Sequence, residues 1–532
     1  MRTSNHIRSF APSLLALAVL GTIGQAGAQQ SDEVRQLTNP ESSVRVGGAS
    51  VSGDSADRAQ FGMFNGMRKE RGYLLLDLDY LTRDNATGLW TFLTGRNLGL
   101  DSRELRGGMQ KQGDWKVFGE YNEITRYSPF TVNTAMTGVG TSRPNIVNLA
   151  TPGTGSDYDF RLQRKAVSAG FEKNIGRNLK FEASARSEDK TGTRLWGRGY
   201  DCAAYVCGFP SNQTANQSLF LKNAILLIPE PIDSTIKQFE AKLAYHNDRM
   251  SLVAGYYGSF YTNSNGNISP TVPNSLYGGN GTLVPSLYPA LPSSIIPGSL
   301  SLQSVLQSAM ALPPDNQAHQ FSIAGNYALT RSTKATFKYS VTRMKQDESF
   351  SGMGLDGAPA GFSNLGGKVD GVNAQLGLTS RITRDLNVLA NFTYLKNEDK
   401  TPKGLYNVEA KAVFPATVPV TYTNVNQPGI PGATWFNNHT SKKDVSGKLE
   451  GTYRLPDGLR LTLGADYRER HRDVPESRVE EALGGLGPLR EKNTETTYRI
   501  DLRRSMSETL NGSIGYSTSE RKGSDWTNLS TL

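Results

Sequence analysis

Phe321-Ser-Ile-Ala-Gly-Asn-Tyr-Ala-Leu-Thr-Arg-Ser-Thr-Lys-Ala-Thr-Phe-Lys-Tyr339 is the stretch that decides the fold. Phe321, Ile323, Gly325 and Tyr327 alternate with Ser322, Ala324 and Asn326. After the connection Leu329–Thr333, Ala335, Phe337, Tyr339 and Val341 alternate with Thr336, Lys338, Ser340 and Thr342. Period-two alternation of this length specifies a strand with one apolar and one polar face. Two such strands across a short polar turn specify a β-hairpin.

Working outward, the same unit recurs. Arg164–Lys173 turns into Leu179–Ser187, and Ile236–Tyr245 into Met250–Phe260. Asp370–Ser380 turns into Leu386–Leu395, Asp444–Tyr453 into Leu459–Arg468, and Glu495–Arg503 into Thr509–Ser517. Upstream lie strand candidates Gln60–Met67, Tyr73–Thr82, Leu89–Asn97, Ser102–Lys111 and Trp115–Ile124, about seventeen in all. Long Gly-, Ser-, Asn- and Pro-rich connections, such as Glu188–Thr235 and Tyr261–His319, separate the hairpins. Short turns at one end and long loops at the other mark an outer-membrane barrel, whose strands need about 9–11 residues each. A soluble sandwich buries its apolar face in protein and has no need of one-sided loop length.

Composition agrees with an all-β, large antiparallel transmembrane barrel. The chain has 532 residues, 37% hydrophobic, with a mean hydropathy of −0.45, so it is too polar for a bundle of membrane helices. Its 55 Gly, 22 Tyr and 20 Phe suit turns and interfacial girdles. The apolar face should meet lipid at Phe337, Leu376, Phe392, Leu463 and Ile514. The polar face should line the lumen at Lys338, Asn373, Gln375, Asn387, Asn391, Asp466, Arg499 and Asp501.

Residues 1–28 have the form of a secretory signal. Arg2 and Arg8 precede the apolar run Leu14–Leu20, and Ala26-Gly-Ala28 supplies small residues before cleavage at Ala28/Gln29. Removing them lowers the formal charge from +9 to +7, because Arg2 and Arg8 are their only ionised side chains. Residues 29–57 read as a flexible periplasmic leader and 58–532 as the barrel. The remaining charges are scattered, with no basic block for nucleic acid. The strand count is odd, the last strand runs outward, and the polar tail after Ser519 opens another loop. An even number of strands is the rule for bacterial single-chain barrels, so the expectation is a barrel whose C-terminal strands are missing.

Chemistry-bearing residues are sparse. Cys202 and Cys207 are the two cysteines, and in an exported protein they suit a local loop disulfide. No Cys-x-x-Cys-His is present, so this chain attaches no c-type haem itself. His246, His319, His439 and His471 lie far apart without metal-ligand spacing. Met310, Met344 and Met353 read as gap-fillers, and Asp347, Glu348 and Asp356 as solvated charge. No Gly-x-Ser-x-Gly elbow supports a hydrolase, so no enzyme activity and no directly bound cofactor or metal are expected.

Four segments carry a family resemblance: Gly95-Arg-Asn-Leu-Gly-Leu-Asp-Ser-Arg103, Gly255-Tyr-Tyr-Gly-Ser-Phe260, Ala311-Leu-Pro-Pro-Asp-Asn-Gln-Ala-His319 and Ser519-Glu-Arg-Lys-Gly-Ser-Asp-Trp526. With them the chain, from about Gln60 to Trp526, resembles the MtrB/PioB family of decahaem-associated outer-membrane proteins. The resemblance implies a wide barrel in a Gram-negative outer membrane. It implies a periplasmic multihaem c-type cytochrome as partner, carrying the haem, with an outer-surface multihaem cytochrome as a further one. Together they would pass electrons across the membrane. The best-known members carry a Cys-x-x-Cys near the mature N-terminus. None occurs between Gln29 and Glu70, so its function is not carried over. An open-lumen porin is the alternative that the residues alone leave standing.

Overall fold

The computed structural model describes residues 8–9, 41–147, 149, 151, 153–201, 223–271, 309–355, 358–407, 434–437, 439–474, 490–505 and 510–526. Seventeen strands form one antiparallel sheet. They are β1 (Ser43–Ser50), β2 (Gly72–Asp84), β3 (Leu89–Arg96), β4 (Arg103–Lys111), β5 (Trp115–Thr134) and β6 (Ser156–Ile175). Then come β7 (Leu179–Asp201), β8 (Asn223–His246), β9 (Met250–Asn263), β10 (Asn316–Ala328), β11 (Thr333–Gln346) and β12 (Gly367–Arg381). The last are β13 (Leu386–Asp399), β14 (Lys442–Arg454), β15 (Leu459–Arg472), β16 (Lys492–Ser505) and β17 (Asn511–Gly523). Each pairs with the next in sequence, and Arg8–Ser9 add a two-residue pairing beside β1. Among the described residues β1 and β17 share no ladder, so the sheet is not closed.

Connections alternate strictly between the two ends of the sheet. From β2–β3 to β16–β17, every second one has three to five residues. Those at the other end run from six residues (97–102) to fifty-two (264–315). Such asymmetry places the short turns on the periplasmic side and the long loops outside.

Because paired residues share a face, register assigns every strand side chain to one of two surfaces. One surface is apolar and uncovered. Leu74, Met109, Val167, Phe171, Phe239, Leu243, Phe321, Leu449 and Tyr498 all lie on it and are exposed. A band of side chains without charge crosses it. On β15 it runs from Leu459 to Tyr467, with Glu469 next on that face; on β13 it runs from Leu386 to Tyr394, followed by Lys396. Nine residues at ~3.3 Å rise and ~40° tilt climb roughly 20 Å, close to the ~25 Å apolar band of outer-membrane barrels. Tyr245, Tyr327 and Tyr453 sit near the short turns on this face. Tyr121 and Tyr467 mark its upper edge, where their hydroxyls donate to Glu123 and Glu469, each at 2.8 Å.

Buried apolar packing is found instead above the long-loop ends. Ile146, Ile268, Met310, Leu312 and Met353 are buried there. Backbone hydrogen bonds between 137–146, 266–271, 309–312 and the neighbouring strands tie that cluster together. Met310 and Met353 therefore fill a small loop core, while Met344 lies on the polar face of β11.

Three expectations are corrected. Gln60–Met67 is not a strand: helix α1 (Ser55–Phe61), capped by the Asp54 carboxylate accepting from Ala56 N–H, runs into turns at Gly62 and Gly66. Gly66 has φ +79°, a left-handed value that breaks extended pairing. The first strand is β1, inside the stretch expected as leader; Val44 and Val46 place two apolar side chains on its outer face, paired with Leu78 and Leu76. Third, β5–β8 are far longer than a membrane crossing requires, at 20 to 24 residues, so the connection expected over Glu188–Thr235 shortens to 202–222. Ala28, Gln29, Cys202 and Cys207 lie outside the described residues.

Candidate functional site: the inner face of the wall

The surface opposite the apolar band is polar, and register puts all eight residues expected on it there together. Lys338 pairs with Gln375, Asn391 with Lys448, Lys448 with Asp466, Gly464 with Arg499, and Thr462 with Asp501. Asn373 lies two residues before Gln375 on the same face, and the Gln375 amide donates to Asn373 Oδ1 at 3.2 Å. Asn387 lies four residues before Asn391 on that face. Phe337, Leu376, Phe392, Leu463 and Ile514 all fall on the other surface.

The inner face has three zones. The middle zone, β9–β13, carries mostly Ser, Thr, Asn and Gln, with Lys338 standing among them. The flanking zones carry ladders of opposite charges. On β14–β16, Arg499 reaches Asp466 at 3.1 Å and also binds Glu450, which Lys448 meets at 3.0 Å. Higher on this zone Asp444 takes Arg470 at 2.8 Å and Arg521 takes Glu495 at 2.8 Å. On β5–β8, Glu172 lies between Lys116 at 3.5 Å and Lys180 at 2.8 Å, and Lys242 pairs with Glu240 at 2.6 Å. Half-exposed pairs of this kind contribute little each, ~0.2–1 kcal/mol, but at mid-wall they neutralise one another.

Nearer the β2–β6 short turns the inner face is aromatic. Arg83 lies over the Trp90 ring, and Arg106 over both Phe92 and Phe118. These rings lie flat on glycines: a Cβ at Gly170 would fall onto Phe118, and one at Gly108 would come within 2.7 Å of Phe92. The glycines make room for the rings, which cover a stretch of bare backbone.

Sequence reading picked out Asp466 and Arg499 but missed their partners Lys448 and Glu450, and the whole β5–β8 ladder. The signal was present as charges of opposite sign at the same parity on successive strands. Only the register shows which of them meet.

Among the described residues this face shows no hydrogen bond between a serine or threonine hydroxyl and a histidine. Among the described residues no three His, Cys, Asp or Glu side chains could hold a metal ion together. His319 and His471 lie on the outer surface by register, His319 bonded to Tyr256 Oη at 2.9 Å and His471 to Glu469 at 2.8 Å. His439 sits in a loop against the Thr401 carbonyl. None of these three lies on the inner face; His246, the last residue of β8, does, directly opposite Ser251 at the short-turn end.

Residues 54–531 match the family described as "Putative outer membrane beta-barrel porin, MtrB/PioB". Outer membrane protein MtrB of Shewanella baltica (strain OS185) is 22% identical over 448 residues, covering 82% of this chain and 54% of that protein. The chain thus spans about half the length of the curated relative it matches. Among solved structures, the closed form of the ferric-catecholate import receptor Fiu from E. coli K12 aligns at 14% identity and TM-score 0.36, over 91% of this chain and 63% of that one. The ferric yersiniabactin uptake receptor FyuA from Yersinia pestis aligns at 10% identity and TM-score 0.34, over 85% and 59%. The strand-rich wall with its apolar band, together with the match along almost the whole chain, assigns it to the bacterial outer membrane as a member of the MtrB/PioB family of β-barrel proteins.

Proposed function

We propose that this wall sheathes a periplasmic multihaem c-type cytochrome and holds it across the outer membrane as a conduit for electrons. The observation that carries the reading is the mutual neutralisation of the ladder charges at mid-wall, beside a neutral amide and hydroxyl zone. A selective solute channel works through rings of uncompensated charge at its narrow point. A wall neutralised within itself is suited instead to lie against a folded protein and its bridging waters. Size supports the same reading. Seventeen strands ~4.8 Å apart at ~40° tilt make an arc of about 105 Å, and a circle of that perimeter is about 33 Å across, too wide for its own side chains to fill.

The haem would belong to the partner. This chain has no Cys-x-x-Cys-His, and of its described strand histidines His319 and His471 face away from the lumen, while His246, at the short-turn end of β8, lies on the inner face. Its own part is to position the partner and to exclude lipid, with no bond made or broken on its residues. Family membership supports the reading, and so does the neutralisation at mid-wall; polarity of the wall by itself suits an open porin as well.

Purification of the tagged chain in mild detergent tests it. Haem absorbance at a fixed ratio to the barrel is the expected result. A haem-free barrel that opens a large steady conductance in planar bilayers would refute the sheath and favour the porin.

A further inference from the structure

At the short-turn end the inner face is unlike the rest of the wall. Arg454 stands directly opposite Arg460, and Arg460 directly opposite Arg503, across β14, β15 and β16. All three are on the inner face, in register with the row that ends the polar ladder, and all three are exposed. Arg381 of β12 and Lys334 of β11 are also exposed on this face at the same end. Among the described residues none of the five makes an ion pair, whereas higher on the inner face Lys448 pairs with Glu450, Arg499 with Asp466 and Arg470 with Asp444; Arg472, at the long-loop end of β15, also makes none. The next inward carboxylate along β16 is Asp501, two residues before Arg503; Asp385 and Asp457 lie in the turns themselves.

Like charges directly opposite each other on a sheet repel, so a row of three is unfavourable for the barrel alone. Lipid head groups do not account for it, because register turns these side chains away from the apolar surface. The adjacent Arg504 is the one that faces outward, opposite Leu459.

We propose that Arg454, Arg460 and Arg503, flanked by Arg381 and Lys334, form a docking row at the periplasmic mouth that receives a carboxylate-rich surface of the inserted cytochrome. The inference rests on the sheath reading and adds where the partner is gripped and by what chemistry. Anionic side chains and haem carboxylates share the feature recognised, a delocalised negative oxygen pair that guanidinium binds through two parallel N–H donors. An uncompensated row at the entrance also steers an acidic partner inward, and its effect weakens as salt screens it.

The test uses the full chain, tagged and isolated from the outer membrane of its own host, and reads haem absorbance per barrel through washes of rising ionic strength. R454Q/R460Q/R503Q should retain about tenfold less haem at moderate salt than the unaltered barrel, and its remaining retention should be less salt-sensitive. R504Q, one residue away on the opposite face, should retain haem normally. Barrel yield and heat-modified gel mobility of each variant separate lost docking from lost assembly. Equal retention by the triple variant and the unaltered barrel at every salt overturns the docking row while leaving the sheath reading intact. A loss in R504Q equal to that in the triple variant overturns the row in favour of a lipid-facing rim. An unaltered barrel without haem overturns both readings.

Discussion

Leu463→Arg and Thr462→Arg place the same charge on adjacent residues of β15, and the wall predicts opposite outcomes. Leu463 lies on the apolar surface midway along the uncharged run Leu459–Tyr467, and it is 53% exposed because no protein covers it. An arginine at mid-band on the lipid face costs roughly 2–4 kcal/mol. That corresponds to about a 30- to 900-fold smaller folded-to-unfolded ratio. Thr462 lies on the inner face. Its hydroxyl sits 3.2 Å from that of Thr452, and Asp501 stands directly opposite on β16. Losing the hydroxyl contact removes ~1 kcal/mol, and a new pair with Asp501 returns up to ~1 kcal/mol. The net change is therefore close to zero. Urea titration of each variant folded into phospholipid vesicles, followed by heat-modified gel mobility, measures the difference directly. Equal destabilisation by the two substitutions refutes the assignment of faces, and so does greater damage from Thr462→Arg.

Three further outcomes follow from the same wall. Arg499→Ala leaves Glu450 and Asp466 without their shared cation and should lower stability by about 1 kcal/mol, the half-exposed setting keeping the loss small; an Arg499→Ala/Asp466→Asn cycle in the same titration should give a coupling of the same order. Gly170→Ala drives a methyl into the Phe118 ring and should destabilise by ~1–3 kcal/mol, with Phe118→Leu in the same chain restoring part of it. The chain purified without its partner should show no Soret absorbance at all, and a stoichiometric haem signal from the isolated barrel would contradict the assignment of haem to the cytochrome.

Much of the wall was legible because a strand that separates lipid from a polar interior must alternate, and alternation survives in a single sequence. Phe321–Tyr327 and Ala335–Val341 show it without help from any neighbour, and every short turn from Asn174 onward was located within a few residues. The errors fell where alternation was interrupted or continued too far. Gln60–Met67 has enough Phe and Met to resemble a strand, yet Gly62 and Gly66 break it, and the Asp54 cap starts a helix just upstream. β1 contributes the short run Val44, Val46 and Gly48 to the outer face, so its sequence resembles a polar leader until Leu76 and Leu78 are seen beside it. The extension of β7 is mostly polar and that of β8 opens with the continuous apolar run Ala224–Ile228, so neither keeps a period of two. The candidate site divides along the same line. That Arg499 and Asp466 share a face follows from parity on each strand. That Arg499 also reaches Glu450 depends on a register carried across β14, β15 and β16. The row Arg454–Arg460–Arg503 depends on it still more, because its members lie beside the turns, where the alternating pattern ends. A four-residue turn joins β14 to β15, and a one-residue slip in the pairing of any of the three strands would move its arginine to the opposite face, beside the lipid. The register of β14, β15 and β16 therefore places this charge at the mouth of the wall.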